Sequence, residues 1–264
     1  MLRVMTWNIR TGGRDRDGTD RRDRILSVVT AQRPDVLALQ ELRGLDRTLG
    51  ALARRAGLTP YLGRSWFGQS VAVLVRPPLR VLAAGSVRRP FHHAAARVRI
   101  ATPAGPLTVV STHLNPYSGW RRRIEAGWLA AAMRRGGGDL ALLVGDLNTL
   151  EPAVDHAERL AGLAAAYRRR HLRRDGLTVD TRAVARLLDG GLVDLWPRTG
   201  GDGPGGLTVP TRYGGAEFAG MRLDYLLATP ALADRVRAVR VIRGGDADTA
   251  SDHYPVLAEL DVDA

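Results

Sequence analysis

Leu140-Ala141-Leu142-Leu143-Val144-Gly145-Asp146-Leu147-Asn148 decides the fold. Residues 140–145 read as a central strand, a short unbroken apolar run closed by Gly-Asp. Asp146 and Asn148 then stand where side chains reach a cleft. Ala250-Ser251-Asp252-His253-Tyr254-Pro255-Val256 repeats the arrangement with Asp and His. Working outward, Val4-Met5-Thr6-Trp7-Asn8-Ile9 brings Asn8 to the end of an apolar run, and Asp35-Val36-Leu37-Ala38-Leu39-Gln40-Glu41 brings Glu41. Val109-Val110-Ser111-Thr112-His113 and Arg222-Leu223-Asp224-Tyr225-Leu226-Leu227 add His113 and Asp224. A packed core does not require polar residues at the ends of six strands; a site built from strand ends does. An Asp/Asn pair and an Asp/His pair can hold a divalent cation, a phosphate and an attacking water, which points to metal-assisted phosphoester cleavage.

The rest of the chain supplies helices between these strands. Residues 2–8 and 36–40 read as strands. Arg21–Gln32 has helical spacing, with Asp20 as its N-cap and Pro34 after its end. Leu45–Ala56 forms a second helix stopped by Gly57. From Tyr61 to Val110 the pattern becomes strand and turn, with strands at Ser70–Arg76, Arg80–Val87, Ala94–Ala101 and Leu107–Thr112. Helices follow at Ser118–Arg135, near Pro152–Leu163 and at Thr181–Leu188, and Gly200–Gly206 is a loop. Arg222–Ala228, Val236–Ile242 and Val256–Leu260 close the chain as strands. Strands with interspersed helices fit an α/β (α+β) protein of four layers, two packed mixed sheets flanked by helices.

The ordered set Thr-Trp-Asn, Gln-Glu, Ser-Thr-His-Leu, Gly-Asp-Leu-Asn, Arg-Leu-Asp-Tyr and Ser-Asp-His-Tyr-Pro-Val resembles the endonuclease/exonuclease/phosphatase superfamily from Val4 to Val256. Pancreatic-type deoxyribonucleases, abasic-site endonucleases, neutral sphingomyelinases and inositol-polyphosphate phosphatases belong to it. The resemblance implies the same four-layer sandwich. It also implies metal ligation by Asn8, Glu41 and Asp252, all oxygen donors suited to Mg²⁺ or Mn²⁺. By the same resemblance Asp146 orients or deprotonates the attacking water, and Asn148 bonds a phosphate oxygen or that water. His253 contacts the phosphate, Asp224 orients His253, and His113 donates to a phosphate oxygen or the leaving group.

Plainer readings stand beside these. Glu41 could cap a helix or pair with Arg43, Asp146 and Asn148 could form an Asx turn, and Asp224 could pair with Arg222. Asp146 and Asn148, two apart in an extended segment, point to one side. Thr112-His113-Leu114 is similar to the deoxyribonuclease, sphingomyelinase and phosphatase branches, in which an Arg on the following helix reaches the site. Arg122 or Arg123 would fill that place, or else mark a solvated helix start. Arg168–Arg174 reads as exposed, and Tyr167 and His171 could stack on bases beside phosphate contacts from Arg169 and Arg170. His92-His93 reads as a surface pair or a rim contact, and His156 as a helix-surface residue.

The 264 residues suffice for one large domain, and motifs spread from end to end make 1–264 a single unit. Cysteine is absent, which removes disulfides and thiolate metal sites. That fits a cytoplasmic protein and is also compatible with export of a chain whose leader was removed. No signal peptide or membrane span is visible, and the chain is expected to act as a monomer. Its net charge of +12 is the balance of 39 basic residues, all arginine, against 27 acidic ones. The charge attracts polyanions, nucleic acid first; the all-arginine usage equally reflects high-GC codons. Three functions compete: a nuclease on DNA or RNA, a phosphatase or phosphodiesterase on a small or lipid phosphoester, and a non-catalytic binding protein. The third is weakest, because no expected polar residue is missing. With aromatics at 5%, the sequence displays no aromatic-rich loop for stacking.

Overall fold

The computed structural model describes all residues except 46–47, 137, 153, 200–205, 215–216 and 264. The strands run β1 Leu2–Asn8, β2 Val36–Gln40, β3 Thr59–Gly63, β4 Val71–Val75, β5 Val81–Ser86, β6 Ala94–Ile100, β7 Leu107–His113, β8 Leu140–Asp146, β9 Val193–Asp194, β10 Asp224–Ala228, β11 Val236–Val241 and β12 Val256–Leu260. They form two six-stranded sheets, ordered β11-β12-β1-β2-β4-β3 and β5-β6-β7-β8-β10-β9. Each is antiparallel except for one central parallel pair, β1 with β2 and β7 with β8. The sheets face one another across a core that includes Val4, Val36, Val73, Val98, Val109, Leu142, Val144, Leu226 and Ala258.

Helices cover both outer faces, so the expected four layers are present. On one side α1 Arg22–Gln32 and α2 Leu49–Arg55 bury Ile25, Val28, Val29, Leu49 and Leu52 against Met5, Leu37, Leu39 and Leu74. On the other, α3 Gly119–Gly136 buries Ala126, Leu129, Ala130 and Met133 against Val110, Ala141 and Leu143. Central strands buried on both faces explain why their sequences run apolar without alternating.

Several boundaries differ from the sequence expectation. Asp20 acts from one residue further out, accepting the Arg22 amide at 3.0 Å. The edge strand β3 lies outside that expectation; its half-buried side chains and Pro60 weaken the strand signal. The helix expected near Pro152–Leu163 contracts to Ala157–Ala161. The expected loop at 200–206 lies, save its last residue, outside the described residues, as does the start of the helix expected from Leu45. Among the described residues no helix is long and apolar enough to cross a membrane.

Candidate active site

Asp146 stands at the end of β8 between two neighbouring strands. The parallel register with β7 sets His113 opposite it, and the antiparallel register with β10 sets Asp224 on its other flank. Gly145 permits the approach. It has φ 135°, and a β-carbon there would lie 1.9 Å from the Thr112 carbonyl oxygen. Only glycine meets both conditions, which accounts for the Gly-Asp step in the sequence.

The Asp146 carboxylate divides its work. Oδ1 accepts the Asn148 amide at 2.8 Å, closing an Asx turn. Oδ2 lies 3.0 Å from Asn8 Nδ2, 3.3 Å from His113 Nε2 and 3.7 Å from His253 Nε2. The turn and the site are therefore one structure rather than alternatives. Asn148 sits at φ 48° and its Nδ2 donates to the Leu114 carbonyl at 3.1 Å, so strand alternation does not govern its direction. Burial raises the pKa of Asp146; the two imidazoles oppose that rise, and Asp224 adds to it.

His253 is held from both sides. Its Nδ1 lies 2.7 Å from Asp224 Oδ2, and Trp7 Nε1 donates to its carbonyl at 2.8 Å. Trp7 thus packs in the core and also fixes the loop. Burial works against a charged ring, but Asp224 and Asp146 prevail and push the pKa up to about 10. Arg222, the competing partner for Asp224, instead reaches Asp194 at 2.7 Å. Asp146, Asp224 and His253 present ligand atoms within 4.8 Å of one another. With Nδ1 turned to Asp224, His253 presents Nε2 toward Asp146, so the trio is linked as a hydrogen-bonded relay.

The first sheet supplies the oxygen donors. The parallel register sets Asn8 beside Gln40, and Glu41 follows at φ 60°. Positive φ is uncommon outside glycine and marks a backbone held by its surroundings. Glu41 accepts from the Thr11 amide at 3.1 Å, Gln69 Nε2 at 2.9 Å and Asn8 Nδ2 at 3.2 Å. Burial alone would raise its pKa, but His113, the Thr11 amide, Gln69 and Asn8 together hold it below the ordinary value. Asp252 receives Arg10 Nη1 at 3.3 Å. Its pKa is raised by burial and by Glu41, against His253 and Arg10. A buried carboxylate at Asp252, a half-buried one at Glu41 and the Asn8 carboxamide fit a hard divalent cation, which would relieve the cost of their charge. As a ligand beside Glu41, Asn8 would need its amide turned, since Nδ2 and not Oδ1 faces Glu41 and Asp146.

Other expectations are corrected. Arg122 bonds backbone carbonyls rather than a side chain of the centre, although the Asp146 charge still acts on it. Its buried guanidinium donates to the carbonyls of Asn115 at 3.2 Å and Arg170 at 2.7 Å, bracing the loop after β7 against the 168–174 segment. Arg123 is exposed on α3. Within Arg168–Arg174 only Arg169, Arg173 and Arg174 are exposed, and His171 is buried and unable to stack on bases. The Arg170 guanidinium lies over Tyr117 and Tyr167, 5.9 and 5.2 Å from their centroids. His156 is buried too, its Nε2 2.9 Å from the Glu151 carbonyl.

Some contributors are not assigned to the centre by the sequence. His93 is buried and stacks on His113, ring centroids 4.0 Å apart and 13° from parallel, so His92-His93 is not a surface pair. Gln69 anchors Glu41, and Arg10 anchors Asp252. Gln40 Nε2 joins the sheets by donating to Thr6 Oγ1 and Ser111 Oγ, each at 3.1 Å. Thr6, Gln40 and Ser111 lie inside the quoted motifs; their side chains could have been suspected only as buried polar residues needing partners.

Comparison with known proteins agrees with this architecture. A profile of the Endonuclease/Exonuclease/phosphatase family matches residues 5–253, and the chain belongs to that family, whose members hydrolyse phosphoester bonds. No curated protein matches in sequence. Among solved structures, an AP endonuclease from Archaeoglobus fulgidus is similar at TM-score 0.73 and 20% identity, covering 99% of this chain and 100% of that one. D. rerio TDP2 complexed with a single-strand DNA product gives 0.69 and 17%, covering 97% of each chain. An endonuclease/exonuclease/phosphatase from Beutenbergia cavernae gives 0.66 and 22%, covering 97% and 70%.

Proposed function

We propose that the chain is a divalent-metal-dependent phosphodiesterase and acts as a nuclease on DNA or RNA, with residues 1–264 as one catalytic unit. The observation that carries the phosphodiesterase reading is the convergence on Asp146 Oδ2 of Asn8, His113 and His253, with Asp224 behind His253. Family membership supports hydrolysis, and the structure bound to DNA product supports nucleic acid. So does the net charge of +12.

Each residue then has a task. Asp146 takes the proton of the attacking water as its oxygen bonds to phosphorus and the bond to the leaving oxygen breaks. Asn148, tied through Nδ2 to Leu114, offers Oδ1 to that water. His253, oriented by Asp224, donates from Nε2 to a phosphate oxygen, and His113 offers a second donor on the opposite flank. Asn8, Glu41 and Asp252 would hold Mg²⁺ or Mn²⁺, which when bound offsets phosphate charge and lowers the pKa of water.

The test is a substrate panel with Mg²⁺, comprising plasmid DNA, single-stranded DNA, RNA, bis-p-nitrophenyl phosphate, p-nitrophenyl phosphate and inositol phosphates. Cleavage of at least one nucleic acid, abolished by chelator, is expected. Efficient turnover of a small phosphoester with no nucleic acid cleaved would replace the nuclease with a small-substrate phosphoesterase. Full activity in excess chelator after dialysis would remove the metal.

A further inference from the structure

The loop between β3 and β4 exposes two large aromatics, Trp66 by 92% and Phe67 by 73%. Exposure on that scale marks a contact surface. The loop is pinned rather than loose. Ser65 Oγ takes the Gly68 amide at 2.8 Å and donates to the His92 carbonyl at 3.1 Å. The Gln69 amide donates to His93 Nδ1 at 2.8 Å, while its side chain holds Glu41. The aromatic pair is therefore tied to two residues of the centre itself.

Trp66 and Phe67 form one side of a groove of about 810 Å³, with Arg64, Arg88 and Arg89 also in its walls and His93 at the end nearest the chemistry. His93 stacks on His113, which in turn lies 3.3 Å from Asp146, so a single imidazole separates the groove wall from the centre. A second hollow of about 430 Å³ shares the Ser86–Arg89 turn and adds Arg97, Arg135 and Trp128. Arg64, Arg88, Arg89, Arg97 and Arg135 are all exposed, and among the described residues neither lining contains a carboxylate.

From this geometry, and resting on the nuclease reading, we infer that the two hollows form a track for unpaired nucleotides leading away from the scissile phosphate. Bases stack on Trp66 and Phe67, while the phosphates between them lie against Arg88, Arg89 and the arginines of the second hollow. Exposed aromatic faces interleaved with cations are what a single strand requires; in a duplex the base faces are already covered. Two adjoining basic hollows suit a polyanion of several nucleotides better than one headgroup.

The test measures binding of fluorescein-labelled oligothymidylate by anisotropy, in chelator so that no cleavage intervenes. Trp66→Ala/Phe67→Ala should weaken binding at least about tenfold, the scale of losing one stacked base, and Trp66→Tyr/Phe67→Tyr should restore most of it. Arg88→Gln/Arg89→Gln should flatten the logarithmic salt slope by about 0.7 for each phosphate no longer neutralised. Unchanged melting temperatures show that these surface variants fold. Oligothymidylate affinity equal to that of the unmodified protein in both variants overturns the track and leaves the nuclease reading intact. Loss of binding to phosphatidylserine vesicles on Trp66→Ala/Phe67→Ala, with oligonucleotide binding unaffected, overturns it in favour of a lipid surface. If the unmodified protein neither binds nor cleaves any nucleic acid, the nuclease reading fails first and the track with it.

Discussion

The centre around Asp146 and the segment Arg168–Arg174 are both conspicuous in the sequence, yet they are built on opposite principles. In the centre the polar side chains are buried or half-buried, and they are answered by residues far along the chain: Asn8 and Asp146, Asp224 and His253, Glu41 and Gln69. In the basic segment the charges diverge. Arg170 stacks on tyrosines, its carbonyl supports Arg122, His171 turns inward, and three arginines face solvent. Clustering along the chain produced a focused site only where strand register forced convergence. A continuous charge run divided itself between scaffold and solvent.

Substitutions can break that contrast, beginning with the centre. Asp146→Ala and His253→Ala should each lower kcat by at least about a hundredfold, the scale of removing a general base or a transition-state donor, with circular dichroism unchanged. Near-normal turnover in either variant would dissolve the centre as described. Glu41→Ala should need a roughly tenfold or higher Mg²⁺ concentration for half-maximal activity, by analogy with the loss from disturbing a metal's surroundings; an unshifted Mg²⁺ titration would remove Glu41 from the ligand set. Asp224→Asn should cost less in kcat than His253→Ala, because an acceptor for Nδ1–H remains. A loss as large as that of His253→Ala would mean that the Asp224 charge, and not its position, is what matters.

The basic segment should respond more gently and in other measurements. Arg122→Met should lower the free energy of unfolding by about 2 kcal/mol in urea, since two buried carbonyls lose their donor. An unchanged unfolding midpoint would show that the Arg122 bridge is dispensable. Replacing Arg169, Arg173 and Arg174 together with Gln should raise KM for a nucleic acid a few-fold and flatten its salt dependence, leaving kcat largely intact. A large fall in kcat would erase the distinction between segment and centre.

The sequence by itself determined the helix-covered two-sheet sandwich, most of its strands and the polar motifs at their ends. These features are written in one dimension: apolar runs fix buried strands, and a polar residue closing such a run must stand at a sheet's end. It also carried Gly145, whose need for space is local to two neighbouring strands. Only the tertiary structure decided which polar groups face the cleft and which brace the scaffold. Arg122 and Arg123 are adjacent in sequence, yet one is buried under two carbonyls and the other is solvated. His93 gains its place through stacking on His113, and Gln69 gains its own through Glu41. The groove at Trp66 unites residues from several separated segments. No local pattern encodes these meetings, because the partner that satisfies a buried polar group, or completes a surface, arrives from elsewhere in the chain only when the sheets close.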